Sequence, residues 1–183
     1  MAIGRQAIEG SGNIQVSGNN NCVVKNYYSM SGSVLTHSFI HDLLDIVYSL
    51  PPSDDDSYSL RQPARMHSKL EFNRAQRYME IIDNHADDYA RVDEVMKDYP
   101  NSEDIVKKLR DMFIDAKHKP GENGLPAASG DQQLDEIKSE LFSLIVTDSK
   151  FDADAYRLEK IEQFCVALIA YGISKCKILE TPM

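Results

Sequence analysis

Two histidines and an aspartate recur at four-residue intervals near residue 40, and their types could support metal chemistry. His37, His41 and Asp45 stand at positions i, i+4 and i+8 of a predicted helix, which places their side chains on one face. A His-xxx-His pair can bind a transition metal, but zinc-protease helices carry Glu directly after the first histidine, where Ser38 stands here. Three ligands spread over two turns also cannot converge on one ion. We therefore predict no metal site and favour a solvated polar face. The alternative is a small metal-dependent enzyme that uses His37, His41 and acids from another helix.

The other chemistry-bearing patterns lack the spacing that an active site or ligand loop needs. The acids at 54–56 and along the later helices include no D-x-[DN]-x-[DN]-G calcium loop, so solvated helix faces account for them. Glycines at 10, 12 and 18 could cradle an anion, but the chain has no G-xxxx-G-K-[ST] pattern. It also has no G-x-S-x-G elbow and no cysteine in a Cys/His nucleophile context. The sequence predicts a non-enzymatic protein without a cofactor.

One stretch is basic within an acidic chain. Residues 61–77 hold one acid, Glu71, and five cations: Arg61, Arg65, Lys69, Arg74 and Arg77. A helix here would show positive charge on more than one side. We predict that it docks an acidic protein surface, in preference to the alternative of a nucleic-acid-contacting subunit. Pairing with the chain's own acids is an equally good interpretation.

Length, charge and cysteine content limit the class of protein. The chain has 183 residues, with 20 Lys+Arg against 29 Asp+Glu and a formal net charge of −9. The length suits one domain with an appendage. The net negative charge disfavours binding of duplex nucleic acid by the chain as a whole. Three cysteines form an odd set without CxxC spacing, which favours reduced thiols in a cytoplasmic protein. No segment has the apolar run of a signal peptide or a membrane span, so we expect neither secretion nor a membrane.

The N-terminal segment 1–33 differs from the rest of the chain. Ser-Gly-Asn occurs at 11–13 and again at 17–19, and apolar residues including Ile14 and Val16 alternate with polar ones. Period-two alternation with Gly and Asn at turns predicts a β-hairpin or a β-solenoid-like rung. Such a piece is too small to stand alone, so it should pack on the rest of the chain or pair with other subunits. A leader without fixed shape is the alternative.

Residues 34–183 predict a mainly α fold, a bundle of about five to six helices. The apolar spacing indicates helices over 34–50, from 102 to about 119, from 131, and from 154 to about 179. Residues 64–99 form either one long helix or two helices with a break near 83–84. The stretch 119–131 contains three Gly and two Pro without a periodic apolar face, and it predicts a flexible surface loop.

The last predicted helix is apolar around most of its circumference between residues 161 and 173. Leu168 and Ile169 lie in the middle of this stretch. A helix with so broad an apolar surface belongs in the centre of a bundle or in a subunit interface.

The two ends of the chain carry a resemblance to a known class of proteins. Residues 8–24 read IEGSGNIQVSGNNNCVV, and residues 164–182 read FCVALIAYGISKCKILETP. With a helical domain between them, they resemble the small components and C-terminal modules of bacterial ABC-three-component anti-phage or anti-plasmid conflict systems. In those systems helical adaptor modules couple an ABC/SMC-type ATPase to an effector such as a nuclease. The resemblance implies an adaptor that binds partner proteins and oligomerises, and it carries over no individual functional residue.

We predict an interaction subunit of a bacterial multi-protein defence complex that forms a homo-oligomer through the N-terminal segment and the last helix. The predicted partner-binding residues are Ile14, Val16, Arg61, Arg65, Lys69, Arg74, Arg77, Leu168 and Ile169. The sequence leaves open the partner's identity, the number of subunits and whether the N-terminal segment folds before assembly. It also does not separate a defence adaptor from an unrelated phage or host scaffold.

Overall fold

The computed structural model describes residues 37–49, 63–118 and 129–182, which belong to the compact unit Leu35–Met183. Within these ranges the chain forms seven helices and no strand. They are α1 (Phe39–Ser49), α2 (Pro63–Phe72), α3 (Gln76–Asn84), α4 (Ala86–Asp98), α5 (Ser102–His118), α6 (Gly130–Val146) and α7 (Leu158–Ser174). The prediction of a mainly helical bundle is confirmed. The predicted N-terminal β-segment lies outside the described residues.

The described chain has more helices than expected because the stretch predicted over 64–99 contains two breaks. One lies where α3 ends at Asn84 and α4 begins at Ala86, which agrees with the two-helix alternative and excludes a single long helix. The other follows α2, where Arg74 adopts a φ of 57°. The Arg74 and Ala75 N–H groups donate to the carbonyl oxygens of Glu71 and Leu70 at 3.0 and 2.9 Å, a Schellman closure. Glycine usually fills the left-handed position of this motif, so the sequence carried no signal for the break.

Helix α7 is shorter than predicted at both ends but keeps its predicted central position. It begins at Leu158 and ends at Ser174, because Cys176 adopts a φ of 57° and the Lys177 N–H closes a Schellman motif on the Gly172 carbonyl at 3.0 Å. It packs against α3, α4, α5 and α6. Every residue from Phe164 to Ile173 is buried, so the other helices of the chain cover the apolar residues on all sides of α7.

The cysteines in the described part of the chain are both free thiols. Cys165 is buried in α7 and Cys176 is exposed after it. Burial raises the pKa of the Cys165 thiol to about 12, which keeps it protonated at neutral pH and unreactive. Within the described ranges, no helix combines the length and the apolar character needed to cross a bilayer.

The start of α6 is fastened to the turn between α2 and α3. Its capping box is formed by Ser129 and Gln132. The Gly130 N–H donates to the Asn73 carbonyl at 2.8 Å, and the Asp131 carboxylate accepts from the Tyr78 N–H at 3.1 Å, near the start of α3. Helix α6 therefore begins at Gly130, one residue before the predicted start at Asp131. The capping box at Ser129 is the local cause. The rest of the predicted loop, residues 119–128, lies outside the described residues.

Candidate metal centre

Two histidines at the start of α1 meet an aspartate in the turn after α6. His37 precedes the helix, which Ser38 caps by accepting from the Ile40 N–H at 3.1 Å. His41 lies in the first turn, and Asp148 follows the end of α6, which packs against α1. One potential ligand atom from each of these three side chains lies within 4.8 Å of the other two.

His41 is buried without hydrogen bonds. The residue is 2% exposed, and neither ring nitrogen has a hydrogen-bond partner. The rings of Phe151 and Tyr156 stand edge-on to it, with centroids 6.4 and 6.3 Å away. The nearest carboxylate is that of Asp45, whose Oδ2 lies 3.6 Å from His41 Nδ1 and is too distant for a good hydrogen bond. A buried imidazole in this state is unusual and costs folding free energy.

His37 is held between two carboxylates. Its Nδ1 lies 3.0 Å from Asp148 Oδ1, and its Nε2 lies 2.5 Å from Asp42 Oδ1. The hydrogen bond with Asp148 is the main cause that raises the pKa of His37, with a smaller contribution from Asp42 and against a smaller desolvation effect. The side chain is 23% exposed, so this histidine forms the open side of the cluster.

Asp148 is the acidic member of the cluster, and its side chain is 1% exposed. Its Oδ2 accepts from the Ser38 N–H at 2.6 Å, and its Oδ1 accepts from the Lys150 N–H at 2.9 Å. Burial alone would raise the pKa of this carboxyl group, but the hydrogen bonds from His37, Lys150 and Ser38 outweigh burial and lower the pKa. Asp148 is therefore an ionised, oriented carboxylate at neutral pH.

The predicted solvated polar face of His37, His41 and Asp45 is wrong for His41, which is 2% exposed. His37 does not lie on the helix, so the expected single face of His37, His41 and Asp45 is not formed; instead the Tyr156 hydroxyl donates to Asp45. Asp148 brings a third potential ligand from the turn after α6, whereas the metal-dependent alternative expected acids from another helix. It is 111 residues from His37 along the chain. No local spacing links residues so far apart, and packing of α1 on α6 is what brings them together.

The basic stretch 61–77 does not present its cations on one surface in the described residues. Arg65 and Arg74 are exposed, whereas Lys69 is 3% exposed and donates to the Ile173 carbonyl at 3.4 Å. Arg77 forms an ion pair with Asp135, as expected if the cations pair with the chain's own acids. Arg61 lies outside the described residues.

The other predicted partner-binding residues divide between the core and the undescribed segment. Leu168 and Ile169 are both 0% exposed in α7, where the chain's own helices cover them. Ile14 and Val16 lie outside the described residues, so the structure adds nothing to their prediction.

The burial of Lys69 leads to a testable expectation. Desolvation lowers the pKa of this ammonium group, because burial penalises the charged form. We expect Lys69→Met to stabilise the fold by about 1 kcal/mol, since it removes a buried cation while the Ile173 carbonyl still accepts from the Cys176 N–H at 3.0 Å. Thermal unfolding measures the effect, with the exposed Lys150→Met as a control. A clear fall in Tm for Lys69→Met alone would contradict this explanation.

Comparison with known protein families, curated proteins and solved structures finds no match for this chain.

Proposed function

We propose that the protein is a non-enzymatic interaction subunit that pairs with copies of itself through its N-terminal leader, residues 8–28. The enclosure of α7 is the observation that carries this proposal. Because Phe164 to Ile173 are buried by the chain's own helices, the helical unit needs no second copy to cover its most apolar element. The proposed self-pairing surface is therefore the leader. Its repeated Ser-Gly-Asn and its alternating apolar residues suit edge-to-edge strand pairing. Leu168 and Ile169 are not part of this proposed interface.

The first helix supplies a surface for a partner protein. Phe39 and Ile46 are 46% and 38% exposed, and they lie seven residues apart on one face of α1. Large exposed apolar side chains are common at protein contacts. The exposed Arg65 and Arg74 would favour an acidic partner. The resemblance to ABC-three-component systems suggests an ABC/SMC-type ATPase or a nuclease as this partner, in an antiviral defence complex.

A charge placed in the leader tests the self-assembly. We expect Ile14→Asp and Val16→Asp each to reduce the full chain from an oligomer to a monomer, because an uncompensated carboxylate on a strand-pairing face is costly. Size-exclusion chromatography with light scattering gives the mass, and circular dichroism checks that the helical unit keeps its Tm.

The matched control is Gln15→Asp, which adds the same charge at the intervening polar position of the alternation. It should leave the oligomer intact. Wild-type mass in both apolar variants, or equal dissociation in the control, would overturn the proposed role of the leader.

A further inference from the structure

We propose that His37, His41 and Asp148 form a binding site for one divalent transition-metal ion, with zinc the expected metal. This inference is independent of the assembly function above. It rests on the convergence of three ligand side chains from two segments, on the unpartnered burial of His41 and on the carboxylates of Asp42 and Asp45, each of which lies near one ring nitrogen of a histidine.

The three side chains have the separation that metal coordination requires. In a tetrahedral zinc site with bonds of about 2.0–2.2 Å, neighbouring ligand atoms lie about 3.3 Å apart. His37 Nδ1 and Asp148 Oδ1 are already 3.0 Å apart. One ligand atom from each of the three side chains lies within 4.8 Å of the other two, so the site would contract when an ion binds.

The positions of the Asp42 and Asp45 carboxylates indicate which ring nitrogen of each histidine would coordinate the ion. Asp42 Oδ1 lies 2.5 Å from His37 Nε2, which leaves Nδ1 directed at Asp148. Asp45 Oδ2 lies 3.6 Å from His41 Nδ1, which leaves Nε2 for the ion. Metal-binding histidines in proteins commonly donate their other N–H group to a carboxylate, which fixes the tautomer and orients the ring. Here Asp42 is at hydrogen-bond distance from His37, and Asp45 would have to approach His41 from 3.6 Å to form the same contact.

The buried state of His41 is explained by an ion. The ring is 2% exposed and has no hydrogen-bond partner for either nitrogen, a state that a purely structural role leaves unfavourable. Coordination through Nε2 would satisfy one nitrogen directly, and contraction of the site would tighten the contact of Nδ1 with Asp45. Asp148 would provide the anionic ligand, held in place by the Ser38 N–H at 2.6 Å.

The types of ligand atom indicate which metals the site would bind. Two imidazoles and one carboxylate suit zinc, cobalt, nickel or ferrous iron, whereas calcium and magnesium prefer oxygen ligands alone. Three protein ligands leave a fourth position for water, and the partly exposed His37 places that position toward the open side. A bound ion would also fasten the start of α1 to the turn after α6.

Titration of the full chain with metal tests the site. The tag-free protein is treated with a chelator, dialysed and titrated with ZnCl₂ in a calorimeter, and CoCl₂ is added separately so that visible absorption reports tetrahedral coordination. We expect one ion per chain, a tetrahedral cobalt spectrum and a rise in Tm with zinc. His41→Ala and Asp148→Asn should each weaken binding about 100-fold or more, and Asp45→Asn about 10-fold.

His67→Ala is the matched control, since His67 is a histidine of α2 that pairs with Asp83 at 2.8 Å, away from the cluster. It should bind zinc as the wild type does. If His41→Ala fails to fold by circular dichroism, Asp148→Asn and His37→Gln decide the question. Absence of stoichiometric binding would overturn the proposal, as would wild-type affinity in the folded Asp148→Asn and His37→Gln variants.

Discussion

Replacing Leu168 with alanine is expected to destabilise the folded helical unit by about 3 kcal/mol without changing the mass of the assembly. Leu168 is 0% exposed at the centre of α7, and truncation of a fully buried leucine removes apolar contacts and leaves a cavity. For a unit of this size such a loss lowers Tm by about 10 °C. Thermal unfolding and light scattering on the same sample separate stability from assembly.

Leu158→Ala is the matched control for this prediction. Leu158 is the first residue of the same helix and is 56% exposed, so its truncation should change stability by less than about 0.5 kcal/mol. A Leu168→Ala protein that dissociates while keeping its Tm would place α7 in a subunit interface. That result would contradict the assignment of this helix to the chain's own core.

Replacing Gly130 with alanine is expected to destabilise the protein by roughly 2–4 kcal/mol. A Cβ at this position would lie 2.4 Å from the Asn73 carbonyl oxygen and 2.9 Å from the Ala75 Cβ. The α2–α3 turn would have to move away, and the hydrogen bond from the Gly130 N–H to Asn73 would lengthen from its 2.8 Å. Thermal unfolding should show a fall in Tm of about 10 °C.

The direction of the stability change in Gly130→Ala distinguishes a steric clash from helix propensity. Helix propensity alone predicts that Gly→Ala stabilises a helix by about 1 kcal/mol, so a rise in Tm would contradict the close contact with Asn73. Gly172→Ala provides a graded comparison. Its Cβ would lie 2.5 Å from Ile178 Cδ1 and 2.9 Å from Ile178 Cγ1. Because these are side-chain atoms and not backbone atoms, we expect a smaller loss than at Gly130.

Sequence periodicity predicted the helices well where one apolar face is buried, and it failed where chain reversal depends on an unusual residue. α5 begins at Ser102 and ends at His118, close to the prediction, because a polar start and a basic end mark its limits. The reversals at Arg74 and Cys176 both use positive φ without glycine. Buried residues follow both reversals, since Ala75 and Ile178 are each 0% exposed, and no local pattern encodes that packing.

The candidate metal centre likewise combines residues that are close in the sequence with one that only tertiary packing brings near. The four-residue spacing of His37 and His41 is visible in the sequence, but it led to the prediction of a solvated polar face without a metal site, whereas His41 is 2% exposed. Asp148 is separated from His37 by 111 positions, and only the packing of α1 on α6 makes it the third member. The single-face pattern in the sequence therefore included Asp45, whose Oδ2 lies 3.6 Å from His41 Nδ1 in the structure.

The most direct test of the proposed interaction function is purification of the tagged protein from its native locus. The co-purifying chains are identified by mass spectrometry, and the mass of the intact complex is measured in parallel. The proposal predicts a stoichiometric ATPase or nuclease bound to an oligomer of this chain, which Val16→Asp reduces to single copies. Recovery of the protein alone as a defined homo-oligomer would contradict the adaptor function, and recovery as a monomer without partners would contradict the proposal as a whole.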